Sequence, residues 1–272
     1  MSPEPSLKEG LVVKDLHFRF HQDQQLLEGV NFSLAPGEIV GLLGVNGSGK
    51  TSLLHLITGF LKRRSGTIQW DGIDLESISS LQLARRVSLV DLEGGPLFST
   101  GIRELLLLGR SPHAGLWGGF SLEDERIALE AASRLHLEPL LDRMWQELSR
   151  GEQQRVRLAM ALAAETGFLL LDEPASHLDP AHQRELLRLC RDLAGTRRVG
   201  VLAVLHDVNL ARNFDRLMLL HEGRMMYDGP PGDALGQSRL DKVYGEGVFS
   251  MHTWEGLPVG TLNVPGTRFS RS

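Results

Sequence analysis

The stretch that decides the fold is Ile39-Val40-Gly41-Leu42-Leu43-Gly44-Val45-Asn46-Gly47-Ser48-Gly49-Lys50-Thr51-Ser52-Leu53-Leu54-His55-Leu56-Ile57-Thr58. Ile39 to Leu43 is a short apolar run without alternation, the pattern of a strand buried on both faces. Gly44 to Thr51 matches GxxxxGK(S/T) directly after that strand, and Thr51 to Thr58 reads as a helix stopped by Gly59. Taken alone the match could be a flexible surface turn, but the strand before and helix after decide for a phosphate loop. Gly44, Gly47 and Gly49 let consecutive N–H groups converge on an anion, and the helix N-terminus adds partial positive charge. Lys50 supplies a mobile cation for the β- and γ-phosphates, and the Thr51 hydroxyl can ligate Mg²⁺. Val45, Asn46, Ser48 and Ser52 complete the predicted nucleotide-binding segment.

Outward from this segment, strand patterns run over Leu11 to Phe20, Phe32 to Leu34, Thr67 to Trp70, Val87 to Val90, Phe168 to Leu171, Val199 to Leu205 and Leu217 to His221. Helices are predicted from Ser121 to about His136, from Ser149 to about Ala163 and from Pro180 to Leu193, the last with Cys190 on its apolar face. Buried strands alternating with helices imply a parallel α/β sheet, and the strand-poor stretch of about 94–165 reads as a helical insertion. The domain is expected over 11–245, with 246–272 as a glycine- and turn-rich tail.

Composition sets the outer limits. The chain has 272 residues, 42% hydrophobic and 23% charged, with 29 basic and 34 acidic residues giving −5. That balance argues against a broad polyanion binder, so no nucleic-acid partner is expected. A single cysteine excludes an internal disulfide framework. No apolar run approaches the roughly 18 residues of a membrane span, and MSPEPSLKEG leads into no signal core. The expectation is a soluble intracellular chain.

Two further segments carry chemistry. Phe168-Leu169-Leu170-Leu171-Asp172-Glu173-Pro174 is a buried strand ending in two carboxylates. At the C-terminal edge of a parallel sheet such a pair faces the ligand cleft, although alone it could be a solvated strand end. Beside a phosphate loop, Asp172 suits Mg²⁺ and Glu173 is placed to orient or deprotonate the attacking water. Leu148-Ser149-Arg150-Gly151-Glu152 opens a helix with a Ser149–Glu152 capping pair. Gly151 weakens that first turn, yet beside a serine hydroxyl it permits close approach of an anion.

LSRGEQQR, from Leu148 to Arg155, resembles the LSGGQ/LSGGE signature of ABC ATPases. Pro174-Ala175-Ser176-His177-Leu178-Asp179 resembles that family's D-loop, and His206, ending LAVLH, its switch histidine. Phe20 stands where the family places an aromatic against adenine, although by itself it is equally a core residue. His206 alone is likewise open to a core or surface role. The resemblance spans about residues 11 to 240. It implies an α/β P-loop NTPase of ABC type with a mainly parallel core, an N-terminal antiparallel β part and an inserted helical subdomain. It also implies ATP and Mg²⁺ as cofactors and a head-to-tail dimer with a second copy. In that dimer Ser149, Gly151, Glu152 and Asp179 contribute to composite nucleotide sites, with Lys50, Glu173 and His206 catalytic.

Gly109-Arg110-Ser111-Pro112-His113 resembles a stretch in ATPase subunits of iron-siderophore, haem and cobalamin importers, although it could be an ordinary loop. The resemblance implies transmembrane permease partners on the helical region, a substrate-binding protein acting indirectly, and a peripheral place on the cytoplasmic face of the membrane. A soluble ABC ATPase working on nucleic acid or ribosomes is the alternative, and a P-loop kinase would explain neither the signature nor the later motifs. Two positions depart from the family. Leu92 occupies the place of a glutamine that reaches Mg²⁺, so Glu93 or Asp91 substitutes as a hard oxygen ligand or the contact is missing; Glu93 is the preferred metal candidate. Arg150 replaces the first signature glycine, adding either attraction for phosphate or bulk that holds the dimer open.

Overall fold

Period-two alternation along the buried strands divides the protein between two cores. The computed structural model describes residues 10–20, 25–91, 99–114, 119–176, 178–254 and 257–263. Strands β1 (Leu11–Arg19), β2 (Gln25–Leu34) and β3 (Ile39–Leu43) lead to helix α1 (Lys50–Ile57). Then come β4 (Ser65–Trp70), β5 (Ile73–Asp74), α2 (Ser80–Ala84) and β6 (Val87–Val90). Helices α3 (Ile102–Leu108), α4 (Leu122–Ser133) and α5 (Arg150–Ala163) follow as the helical region. The chain re-enters the sheet through β7 (Phe168–Leu171), α6 (Pro180–Arg197), β8 (Gly200–Val204), α7 (Val208–Ala211), β9 (Arg216–His221) and β10 (Arg224–Gly229). It ends in α8 (Pro231–Ala234), α9 (Gln237–Tyr244), β11 (Phe249–Trp254) and β12 (Leu257–Leu262).

The central sheet has the order β10-β9-β3-β8-β7-β6, parallel from β9 to β6 with β10 as an antiparallel edge. Ile39 and Leu43 of β3, Val201 and Ala203 of β8, and Leu169 and Leu171 of β7 face one core, shared with α3 to α6. Val40 and Leu42, Leu202 and Val204, and Leu170 face the other. That second core lies between the sheet, α1 and a four-stranded antiparallel sheet of order β2-β1-β4-β5.

An eight-residue helix such as α1 is marginal alone. Leu53, Leu54, Leu56 and Ile57 are fully buried, and each contributes about 1.5–3 kcal/mol, which holds α1 at the end of β3. Trp70 completes the join, its indole N–H donating to the Ile57 carbonyl at 2.8 Å.

The Gly109–His113 stretch has a structural role that its sequence alone did not disclose. A Cβ on Gly109 would stand 2.3 Å from the Met160 carbonyl oxygen, so only glycine lets the end of α3 press on α5. The buried Arg110 guanidinium donates to Asp124 Oδ1 at 2.9 Å, to the Ala163 carbonyl at 2.6 Å and to Glu165 Oε2 at 3.1 Å. His113 Nε2 meets the Ala164 carbonyl at 2.8 Å. Hydrogen bonds from Ser121, then from Arg110, hold the Asp124 carboxyl down at about 2.

The turn-rich sequence after Gly245, expected as a tail, carries the antiparallel pair β11 and β12, packed against α9 and α7. No helix among the described residues is long and apolar enough to cross a membrane.

Candidate functional site: a phosphate loop beside an acidic strand end

β3, β7 and β8 are adjacent in the sheet, and their C-terminal ends bring the phosphate loop, the acidic pair and His206 together. The loop leaves β3 at Gly44, where a Cβ would lie 2.2 Å from the Leu220 carbonyl oxygen and 2.8 Å from Ser48 Oγ. Gly47 and Gly49 take φ of +79° and +102°, the left-handed region that turns N–H groups to one side. Lys50 is buried, and its ammonium donates to the Gly44 and Val45 carbonyls at 2.8 and 3.0 Å. Burial lowers its pKa, with Glu173 and Asp172 opposing. Val45 and Ser52 are half-buried, Asn46 and Gly47 exposed, and Ser48 buried with its hydroxyl unpaired.

Thr51 Oγ1 donates to Asp172 Oδ2 at 2.7 Å, joining the first turn of α1 to the end of β7. Asp172 is 6% exposed, and its Oδ1 has no partner. Burial raises its carboxyl above the usual range; the Thr51 bond opposes this, and the charges of Asp91 and Glu173 add to it. A buried unpaired carboxylate oxygen beside a threonine hydroxyl is a hard-oxygen set that fits Mg²⁺. Glu173 follows with φ +49°, a strained conformation for a side-chain-bearing residue that costs about 1–3 kcal/mol. Its Oε1 lies 2.5 Å from His206 Nε2, across 33 residues of sequence. With the carboxylate ionised, Nε2–H is the donor. The pair is partly exposed, so water has access to both groups.

Phe20, just beyond β1, is 57% exposed and touches Phe18 edge-on at 4.9 Å, leaving ring surface open. Asp91 Oδ2, just past β6, is 3.3 Å from His55 Nε2 on α1. Leu92, Glu93 and His177 lie outside the described residues.

The signature residues stand elsewhere, at the start of α5. Ser149 Oγ donates to Glu152 Oε2 at 2.7 Å, and the Glu152 N–H donates back to Ser149 Oγ at 3.3 Å. The Ser149 bonds lower the Glu152 pKa. Arg150 is exposed and Gly151 half-buried beside it. Asp179 caps α6 by accepting from the Ala181 and His182 N–H groups at 2.9 and 3.0 Å. Among the described residues no hydrogen bond or ion pair joins Ser149, Gly151, Glu152 or Asp179 to the loop of the same chain.

Residues 27–176 match the ABC transporter family, to which this chain belongs; it is an ABC-type ATPase. It is 41% identical over 229 residues to the hemin import ATP-binding protein HmuV of Bordetella parapertussis, covering 81% of this chain and 86% of that one. It is 36% identical to the petrobactin import ATP-binding protein FpuC of Bacillus anthracis, covering 84% of each. Among solved structures, it resembles an inward-facing metal-chelate type ABC transporter with a TM-score of 0.78 and 26% identity, covering 93% of this chain and 96% of that one. It also resembles a dimeric ATP-binding cassette, MJ0796, bound to ADP and Pi (TM-score 0.72, 26% identity, 81% and 98% covered). The ABC fold expected from the motifs is therefore the fold found.

Proposed function

We propose that this chain is the ATP-hydrolysing subunit of an importer for a hemin- or siderophore-type metal chelate. The observation that carries the reading is the assembly of Lys50, Thr51, Asp172, Glu173 and His206 at one sheet edge, in a chain whose relatives bear hemin and petrobactin import names. ATP phosphates lie against the N–H groups of residues 44–51, where Lys50 exchanges its carbonyl partners for β- and γ-phosphate oxygens. Phe20 offers a face to the adenine. Thr51 and Asp172 hold Mg²⁺, which when bound draws charge from the phosphate oxygens. Glu173 orients the attacking water and accepts its proton, and His206 releases Glu173 to donate to the γ-phosphate.

That Ser149 and Gly151 make no bond to the loop of the same chain among the described residues supports a second copy, whose signature residues cap the phosphates in a head-to-tail dimer. A groove of about 1080 Å³ begins beside His55 and Asp91 and is lined by Leu61, Leu75, Ile78 and Leu83, with Phe60 74% exposed at its rim. A neighbouring groove, sharing Ala84, Leu89 and Asp91, continues to Leu108, Pro112 and Arg157 of the helical region. This apolar surface between core and helices suits a permease segment, which would hold the chain at the membrane surface. Glu173→Gln tests the chemistry: it should bind ATP, accumulate as an ATP-bound dimer on size exclusion, and lose hydrolysis by at least about 100-fold, about 2.7 kcal/mol of barrier. Normal turnover would remove Glu173 from the base role. In the assembled transporter, ATPase stimulation by hemin-loaded against siderophore-loaded binding protein assigns the chelate.

A further inference from the structure

The C-terminal hairpin docks on α7, the helix that opens two residues after His206. Asp207 caps α7 by accepting the Asn209 N–H at 2.7 Å, which places the Asn209 side chain against β12. Asn209 Oδ1 accepts from the Gly260 N–H at 2.8 Å, and Nδ2 donates to the Gly260 carbonyl at 3.0 Å. These two reciprocal bonds span 51 residues of sequence. A Cβ on Gly260 would stand 2.7 Å from Val208 Cγ2 and 3.1 Å from Met251 Sδ, so the approach depends on glycine.

The hairpin is in turn fixed to α9. Gln237 Nε2 donates to the Phe249 carbonyl at 2.8 Å, and its Oε1 accepts from the Met251 N–H at 2.8 Å. The Tyr244 ring meets Phe249 edge-on at 5.2 Å. The Tyr244 hydroxyl is left unpaired; burial pushes the phenol up to about 12, and the Gly44 backbone pulls the other way. One C-terminal unit, α9 with its hairpin, thus holds the segment that follows His206.

We infer that Asn209 is a positioning residue for ATP hydrolysis, tying the His206 segment through Gly260 to a hairpin that is itself fixed on α9. The inference rests on the reading of His206 as the γ-phosphate contact. A four-residue helix cannot hold itself, and the partly exposed Glu173–His206 pair fixes only the histidine's far end. Freeing Asn209 loosens the histidine while leaving the loop, Thr51 and Asp172 untouched. The loss therefore falls on kcat and not on nucleotide affinity.

The test measures steady-state ATPase of the full chain in its assembled transporter for wild type, Asn209→Ala, His206→Ala and the double variant. Asn209→Ala should lower kcat by about tenfold with KM for ATP changed less than about twofold, and should add little in the His206→Ala background. Gly260→Val, which parts the same contact from the hairpin side, should reproduce the kcat loss. Full turnover in Asn209→Ala beside a slow His206→Ala would overturn this inference alone, as would equal kcat losses in both backgrounds or a loss confined to KM. Full turnover in His206→Ala would overturn the histidine's role and this inference with it.

Discussion

Asp172→Asn separates stability from turnover. Asp172 is buried with one unpaired oxygen, and its carboxyl is raised above the ordinary range chiefly by burial. The folded chain therefore holds that proton more tightly than the unfolded chain. Its stability falls as pH rises from the unfolded carboxylate value through the raised folded one. Asparagine retains an oxygen for the Thr51 hydroxyl and carries no charge, so it escapes this loss. Relief of the buried charge, with the amide Nδ2 left in the place of the unpaired oxygen, is worth about 1–3 kcal/mol, or about 2–12 °C in melting temperature at roughly 2–4 °C per kcal/mol for a chain of this size. The measurement is scanning calorimetry without nucleotide at about pH 7.5 and about pH 5: the variant should melt higher at the first, with the gap narrowing at the second. Mg²⁺–ATP at about 100 times its Kd adds about 2.7 kcal/mol to the wild type, and a smaller increment in the variant should reverse the order. ATPase activity should fall by at least about 100-fold, or about 2.7 kcal/mol of barrier. A variant that melts below wild type at both pH values without nucleotide would refute the reasoning.

Phe20→Ala should raise KM for ATP by about three- to tenfold with kcat little changed, the range expected when one aromatic contact is lost; an unchanged KM would leave Phe20 without a role as adenine platform. Cys190 is fully buried on α6 and its thiol is pushed up to about 12 by burial, so thiol reagents at about pH 8 should label it only as the chain unfolds in denaturant. Rapid labelling of the native protein would contradict the packing of α6.

The buried strands were legible because their composition leaves few choices: β3, β6 and β7 lie where the apolar runs put them, and the Ser149 and Ser121 capping pairs form as their spacing required. β10 is not legible in the sequence because Arg224-Met225-Met226-Tyr227-Asp228-Gly229 alternates between exposed and half-covered positions at the sheet edge and buries nothing fully. The C-terminal hairpin was illegible for another reason: Asn209 and Gln237, distant in sequence, supply hydrogen bonds to its backbone. At the site, the phosphate loop and Asp172–Glu173 announce themselves through local spacing. The Glu173–His206 contact exists only because β7 and β8 are neighbours in the sheet. The Asp91–His55 contact likewise depends on β6 and α1 meeting in three dimensions, and a linear motif carries no trace of it.

Arg110 fastens α4 and the C-terminal end of α5 to the end of α3, which makes the three helices a single lever. Its anchored end borders the groove at Leu108 and Pro112, and its far tip carries Ser149. With 14 residues in α5, the arm is about 21 Å long. A tilt of about 10° at the anchored end would swing the tip by about 4 Å, more than the length of a hydrogen bond. Small strokes delivered at the groove would therefore be geared up into a shift of Ser149 larger than a hydrogen bond is long, enough to make or break the phosphate contact proposed for it.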